Sequence, residues 1–139
     1  MIKAAHWKDC EWDLGRWPNF SPRELAQRGA GWEEGRTPII IEESALDKLQ
    51  ALRDMCGFAL PVTSAYRSPV YNAKVSTTGL NGPHTTGRAF DIAVYGERAS
   101  YVIEYGYKCG FTGLGVHQRG SHSARFVHWD DLAKRIWSY

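Results

Sequence analysis

The stretch GPHTTGRAFDIAV, residues Gly82 to Val94, runs from a glycine-rich loop into an apolar segment with a carboxylate at its centre. The segment RAFDIAV, bounded by turn residues upstream, predicts a β-strand, and strand alternation puts Asp91 on one face with Ala89 and Ala93. A carboxylate buried there without a partner either costs several kcal/mol or takes up a proton. Two kinds of partner are open: Arg88 or backbone donors, or a cation shared with other side chains. His84 stands seven residues before Asp91, too far for one helical turn. A loop entering a strand can still fold it back beside Asp91.

A second stretch, RFVHWD (residues 125–130), repeats the pattern. As a strand it sets Phe126, His128 and Asp130 on one face and Val127 and Trp129 on the other. Two strands thus each place an ionisable group among apolar neighbours. A His, an Asp and a second His are the donors that Zn²⁺ takes in catalytic sites, where three protein ligands leave a position for water. On spacing alone, a salt-bridged Asp91 and a half-buried strand histidine account for the same residues.

The rest of the chain reads as a mixture of helices and strands. FSPRELAQ opens a helix, with Ser21 as N-cap, Pro22 at the first helical position and Glu24 completing a capping box. Apolar residues from Ile41 to Cys56 recur at helical spacing, which predicts a helix over 42–56 stopped by Gly57. ALPVTSAY reads as a strand, and SPVYNAKV as a short helix capped by Ser68 with Pro69 behind it. Glu97–Cys109 predicts another helix, with Val102, Ile103, Gly106 and Cys109 inward and Gly110 closing it. FTGLGVH and RFVHWD are two further strands around the turn-like QRGSHSA. Without a regular βαβ alternation, the pattern points to an α+β fold, a small, mainly antiparallel sheet with helices packed on it. No repeat, low-complexity tract or linker divides the chain, so one domain over residues 1–139 is expected.

Composition narrows the function classes. The chain is 43% hydrophobic and 23% charged, ordinary for a globular protein, and its net charge of +2 makes no electrostatic case for nucleic acid. No run approaches transmembrane length, and the N-terminal segment lacks the apolar core of a secretory signal. Synthesis in the cytoplasm and no membrane partner are therefore expected. Cys10, Cys56 and Cys109 lie far apart, with no CxxC spacing for a thiolate metal site, and read as free thiols. HExxH, P-loop, GxSxG and GxGxxG motifs are all lacking. Trp7, Trp12, Trp17 and Trp32 cluster in the first quarter of the chain. They are expected to pack that segment onto the domain, with a sugar or peptide platform as the sharper alternative.

Several segments together are more specific. VTSAYRSPVYNAKV (62–75), HTTGRAFDIAV (84–94), GLGV (113–116) and FVHWD (126–130), in this order, resemble the zinc D-Ala-D-Ala carboxypeptidase family, which includes bacteriophage cell-wall endopeptidases. The upstream FSPRELAQRG and ALDKLQALRDMCGFALPVTS look like the same group, so the resemblance covers about residues 20–130. It implies the fold shared by these peptidases and the Hedgehog signalling domain. It also implies one Zn²⁺ held by His84, Asp91 and His128, with Arg67 at the substrate end of the site. Tyr66 and Ser64 brace the SxYRSP segment on this view, and Gly87 supplies a turn that lets the loop approach the metal.

Many relatives carry a general-base Glu or Asp three residues before the last His, where this chain has Arg125. His122 is the first substitute, Asp130 the second, as base or as a group orienting His128, and His117 the third. His6 lies outside every motif. The function implied is zinc-dependent hydrolysis of an amide bond in the peptide part of peptidoglycan, by a D,D-carboxypeptidase or an endopeptidase acting on a stem peptide or cross-link. A monomeric phage endolysin, released to the cell wall by a partner such as a holin, fits that resemblance. The alternative is a non-catalytic zinc-containing module of the same fold that binds cell wall or protein.

Overall fold

The computed structural model describes residues 1–139. Its main sheet has five strands in the order β3-β4-β6-β5-β7: β3 (Val62–Ser64), β4 (Ala89–Ile92), β6 (Phe126–Asp130), β5 (Gly113–His117) and β7 (Arg135–Ser138). All neighbours are antiparallel except β5 and β7, which run parallel. A separate two-stranded sheet pairs β1 (Ile2–Ala4) with β2 (Ile39–Ile41). The architecture is α+β and mainly antiparallel. No helix is long and apolar enough to cross a membrane.

The helices form where their end signals lie. In α1 (Pro22–Leu25), Ser21 Oγ accepts the Glu24 backbone N–H at 3.2 Å. The reciprocal half of the capping box is not made, because the Glu24 carboxylate instead accepts the Val62 N–H at 2.9 Å and ties α1 to β3. α1 ends after one turn because Ala26 turns extended at ψ 162° and the Gln27 N–H donates to the Pro38 carbonyl at 3.0 Å instead of continuing the helix. α2 (Glu43–Cys56) ends at Gly57, whose φ of 72° closes the helix in the left-handed conformation. α3 (Pro69–Val75) is capped by Ser68 Oγ, which accepts the Tyr71 N–H at 3.3 Å. α4 (Gly96–Lys108) buries Ala99, Val102 and Gly106, while Ile103 and Cys109 are only partly covered.

The core lies between one face of the main sheet and α2 and α4. Phe90, Ile92, Leu114, Val127 and Trp129 meet Leu46, Leu49, Leu52, Ala99 and Val102 there, all essentially inaccessible. The Trp129 indole donates to the Val102 carbonyl at 3.0 Å, satisfying its one polar atom. Because side chains alternate along β6, burying Val127 and Trp129 forces His128 and Asp130 onto the opposite face.

The N-terminal tryptophans pack, as expected. Trp7 donates to the Trp32 carbonyl, Trp12 to the Trp17 carbonyl, Trp17 to Asp47 and Trp32 to the Arg23 carbonyl. Arg23 and Arg28 lie over the Trp32 ring at 4.5 and 4.4 Å. The three cysteines are unpaired and partly buried.

Candidate metal centre

Strand register places the first two ligand candidates. Asp91 of β4 lies directly opposite His128 of β6, and the Asp91 Oδ1 to His128 Nδ1 distance is 3.0 Å. His84 arrives on a 3₁₀ turn (Pro83–Thr86) just ahead of β4, with Nε2 at 3.3 Å from Asp91 Oδ2. Gly87 makes that approach possible. Its φ is 75°, and a Cβ there would stand 2.7 Å from the Ile40 carbonyl oxygen. The Gly87 carbonyl accepts the Glu42 N–H at 2.9 Å, pinning the turn to the start of α2.

Hydrogen bonds fix which ring nitrogens are free. His84 Nδ1 sits 2.6 Å from the Ala65 carbonyl, which can only accept, so Nδ1 carries the proton and the Nε2 lone pair is left for a ligand. His128 Nε2 sits 2.7 Å from Asp130 Oδ2, which leaves Nδ1 facing Asp91. Asp130 is itself held by Arg135, at 2.9 and 2.8 Å, and by the Leu132 N–H. The two rings meet edge to face, 5.1 Å between centroids.

Arg88 does not partner Asp91. It reaches Asp131 at 3.1 Å, alongside Lys48. Asp91 therefore has only the two imidazoles as charge partners among side chains. Burial pushes its carboxyl up, but the His84 charge and the His128 hydrogen bond outweigh that and hold it well below the usual carboxylate range. The ligand atoms of His84, Asp91 and His128 all lie within 4.8 Å of one another. Two pre-aimed imidazole nitrogens and an ionised carboxylate fit a zinc ion, with a carbonyl and a carboxylate bracing the far ring nitrogens as metal-bound histidines require.

This group opens on a cavity of about 670 Å³. One wall is Arg67 and the Val75–Thr78 segment; the other is Phe126, Trp137 and Tyr139. Arg67 donates to Asn72 Oδ1 at 3.2 Å, and its backbone N–H donates to the His84 carbonyl, so the guanidinium and the ligand turn share one frame. The GLG of β5 makes the other wall possible. A side chain on Gly115 would meet the Trp137 indole at 2.7 Å, and one on Gly113 would occupy the space of Asp130 and Arg135. The Trp137 ring packs 4.9 Å from that of His128.

The substitutes for the acid at position 125 are not brought to the cavity. His122 lies on a 3₁₀ turn (His122–Ala124), exposed and stacked on Tyr95 with centroids 4.1 Å apart. The fully buried Asp130 stands behind His128, so of its two expected roles the geometry matches orientation of the imidazole. His117 is stacked flat on Phe126, 5.1 Å away, and does not line the cavity. Arg125 folds back to the Gly120 carbonyl and closes the β5–β6 loop. Arg135, Trp137 and Tyr139 escaped the sequence reading because they follow the last recognisable motif. RIWS does not alternate in polarity; pairing with β5 is what turns Arg135 and Trp137 inward and leaves Ile136 exposed.

The peptidase M15 family matches residues 18–130. The chain belongs to the peptidase M15 family. Among curated proteins none matches it. M15 enzymes are metallopeptidases that usually use zinc, and the His84–Asp91–His128 group of this M15 chain is the place where a metal fits.

Proposed function

We propose that this M15 chain hydrolyses an amide bond in the peptide part of peptidoglycan, with one zinc ion held by His84, Asp91 and His128. The observation that carries this reading is that the buried ligand group opens on the same cavity as Arg67. Zinc in such a site polarises a carbonyl and lowers the pKa of water. The protein's own groups position the ion and the substrate. Ala65 and Asp130 hold the two imidazoles in their tautomers. Arg67, fixed by Asn72, offers paired donors to a substrate carboxylate or carbonyl. A terminal carboxylate held there makes the enzyme a D,D-carboxypeptidase; a backbone carbonyl makes it an endopeptidase. As an endolysin it would reach the wall through a partner such as a holin.

The zinc-loaded protein is expected to release amino groups from purified cell walls, EDTA to stop release and Zn²⁺ to restore it. Mass spectrometry of fragments from defined muropeptides names the bond. Walls left intact by fully loaded protein would contradict the proposal. One observation favours a second reading: apart from the three ligands, no imidazole or carboxylate lines the cavity. A zinc-containing binding module would hold walls at full metal occupancy and release no amines.

A further inference from the structure

A reaction that builds negative charge on a carbonyl oxygen needs donors fixed where that charge appears. The cavity offers few. Beyond the ligands, its titratable side chains are Arg67, Arg135 and Tyr139. Arg135 is spent: one guanidinium nitrogen serves Asp130 and the Ala133 carbonyl, the other the second Asp130 oxygen. Arg67 stands on the wall of α3, and Tyr139 on the β7 wall.

Tyr139 is held as a preorganised donor should be. Its backbone N–H donates to the Val116 carbonyl at 3.3 Å, carrying the β5–β7 pairing one residue further. Its ring packs against Phe126 at 4.9 Å, His117 at 5.9 Å and Trp137 at 6.3 Å. Its side chain lines the same cavity as Asp91, Arg67 and Trp137. A phenol keeps its proton at neutral pH, and burial together with the Asp91 charge pushes this one further up. It is thus a neutral O–H donor on the wall opposite Arg67, in a cavity without the acid that relatives carry at position 125.

We propose that the Tyr139 hydroxyl is a catalytic residue that donates a hydrogen bond to the substrate carbonyl oxygen as the amide carbon becomes tetrahedral. The assignment rests on the peptidase reading above. Tyr139→Phe tests it, because the change keeps the aromatic packing and removes only the hydroxyl. In the zinc-loaded full chain three quantities are read: zinc stoichiometry, kinetics of amine release from cell-wall peptide, and calorimetric affinity for a phosphinate dipeptide, whose tetrahedral anionic group mimics the developing oxygen. Tyr139→Phe is expected to keep one zinc and KM within about twofold, and to lose roughly 10²-fold in kcat. Phosphinate affinity should fall by a similar factor, while affinity for the planar parent dipeptide holds. Unchanged kcat and phosphinate affinity would overturn the assignment. If the wild type releases no amines, the peptidase reading falls separately, and equal phosphinate affinity of the two proteins would then reject Tyr139.

Discussion

His128 is gripped at both ring nitrogens, by Asp91 at 3.0 Å and Asp130 at 2.7 Å. In the metal-free protein burial pushes its pKa down, but hydrogen bonds to the two carboxylates prevail and raise it above 6.5. The stability this contributes is complete below the unfolded value of 6.5 and is lost as pH rises through the folded pKa. Asp91 behaves oppositely: its contribution is present above 3.8 and is lost as pH falls through its depressed pKa. Metal-free protein is therefore expected to melt highest between these two values. Its melting temperature should decline as pH rises past 6.5. Zinc must displace the His128 proton, so the stabilisation zinc adds should grow over the same range. Thermal melts with EDTA and with zinc check this; a metal-free melting temperature that stays level from 6.5 upward would count against the pairing.

Among elements, the turn that carries His84 depends on one glycine. Gly87→Ala forces a side chain into the left-handed region at φ 75° and against the Ile40 carbonyl. It is expected to cost about 1–3 kcal/mol of stability in a denaturant melt, and to weaken zinc binding because His84 moves with the turn. Unaltered zinc affinity would show that the turn does not position the ligand. The helices were legible in the sequence because their signals are local: Ser21, Ser68, the prolines behind them and Gly57 act within a few residues. β7 was not, because what makes it a strand is β5, some twenty residues away, with glycines that clear room for Arg135 and Trp137. The early end of α1 was hidden for the same reason: the Gln27 N–H is taken by the Pro38 carbonyl of a later segment.

At the scale of the molecule, a turn with the strand that follows it, and a second strand some forty residues on, bring His84, Asp91 and His128 together. These three could be read in advance because a charged or ionisable side chain inside an apolar strand demands a partner, and the family resemblance said which. The surroundings could not. His122 stood ahead of Asp130 among the expected substitutes for the missing acid, and packing keeps both out of the cavity: Asp130 is buried behind the His128 ring and His122 is stacked outside on Tyr95. Tyr139 directly follows β7, a strand that no motif marks. The most direct test of the whole arrangement is zinc-edge X-ray absorption on protein carrying one equivalent of zinc. Two imidazole nitrogens and a carboxylate oxygen are expected at about 2.0–2.2 Å, with one further light ligand and no sulfur. A sulfur shell, or a spectrum with no imidazole scattering, would contradict it.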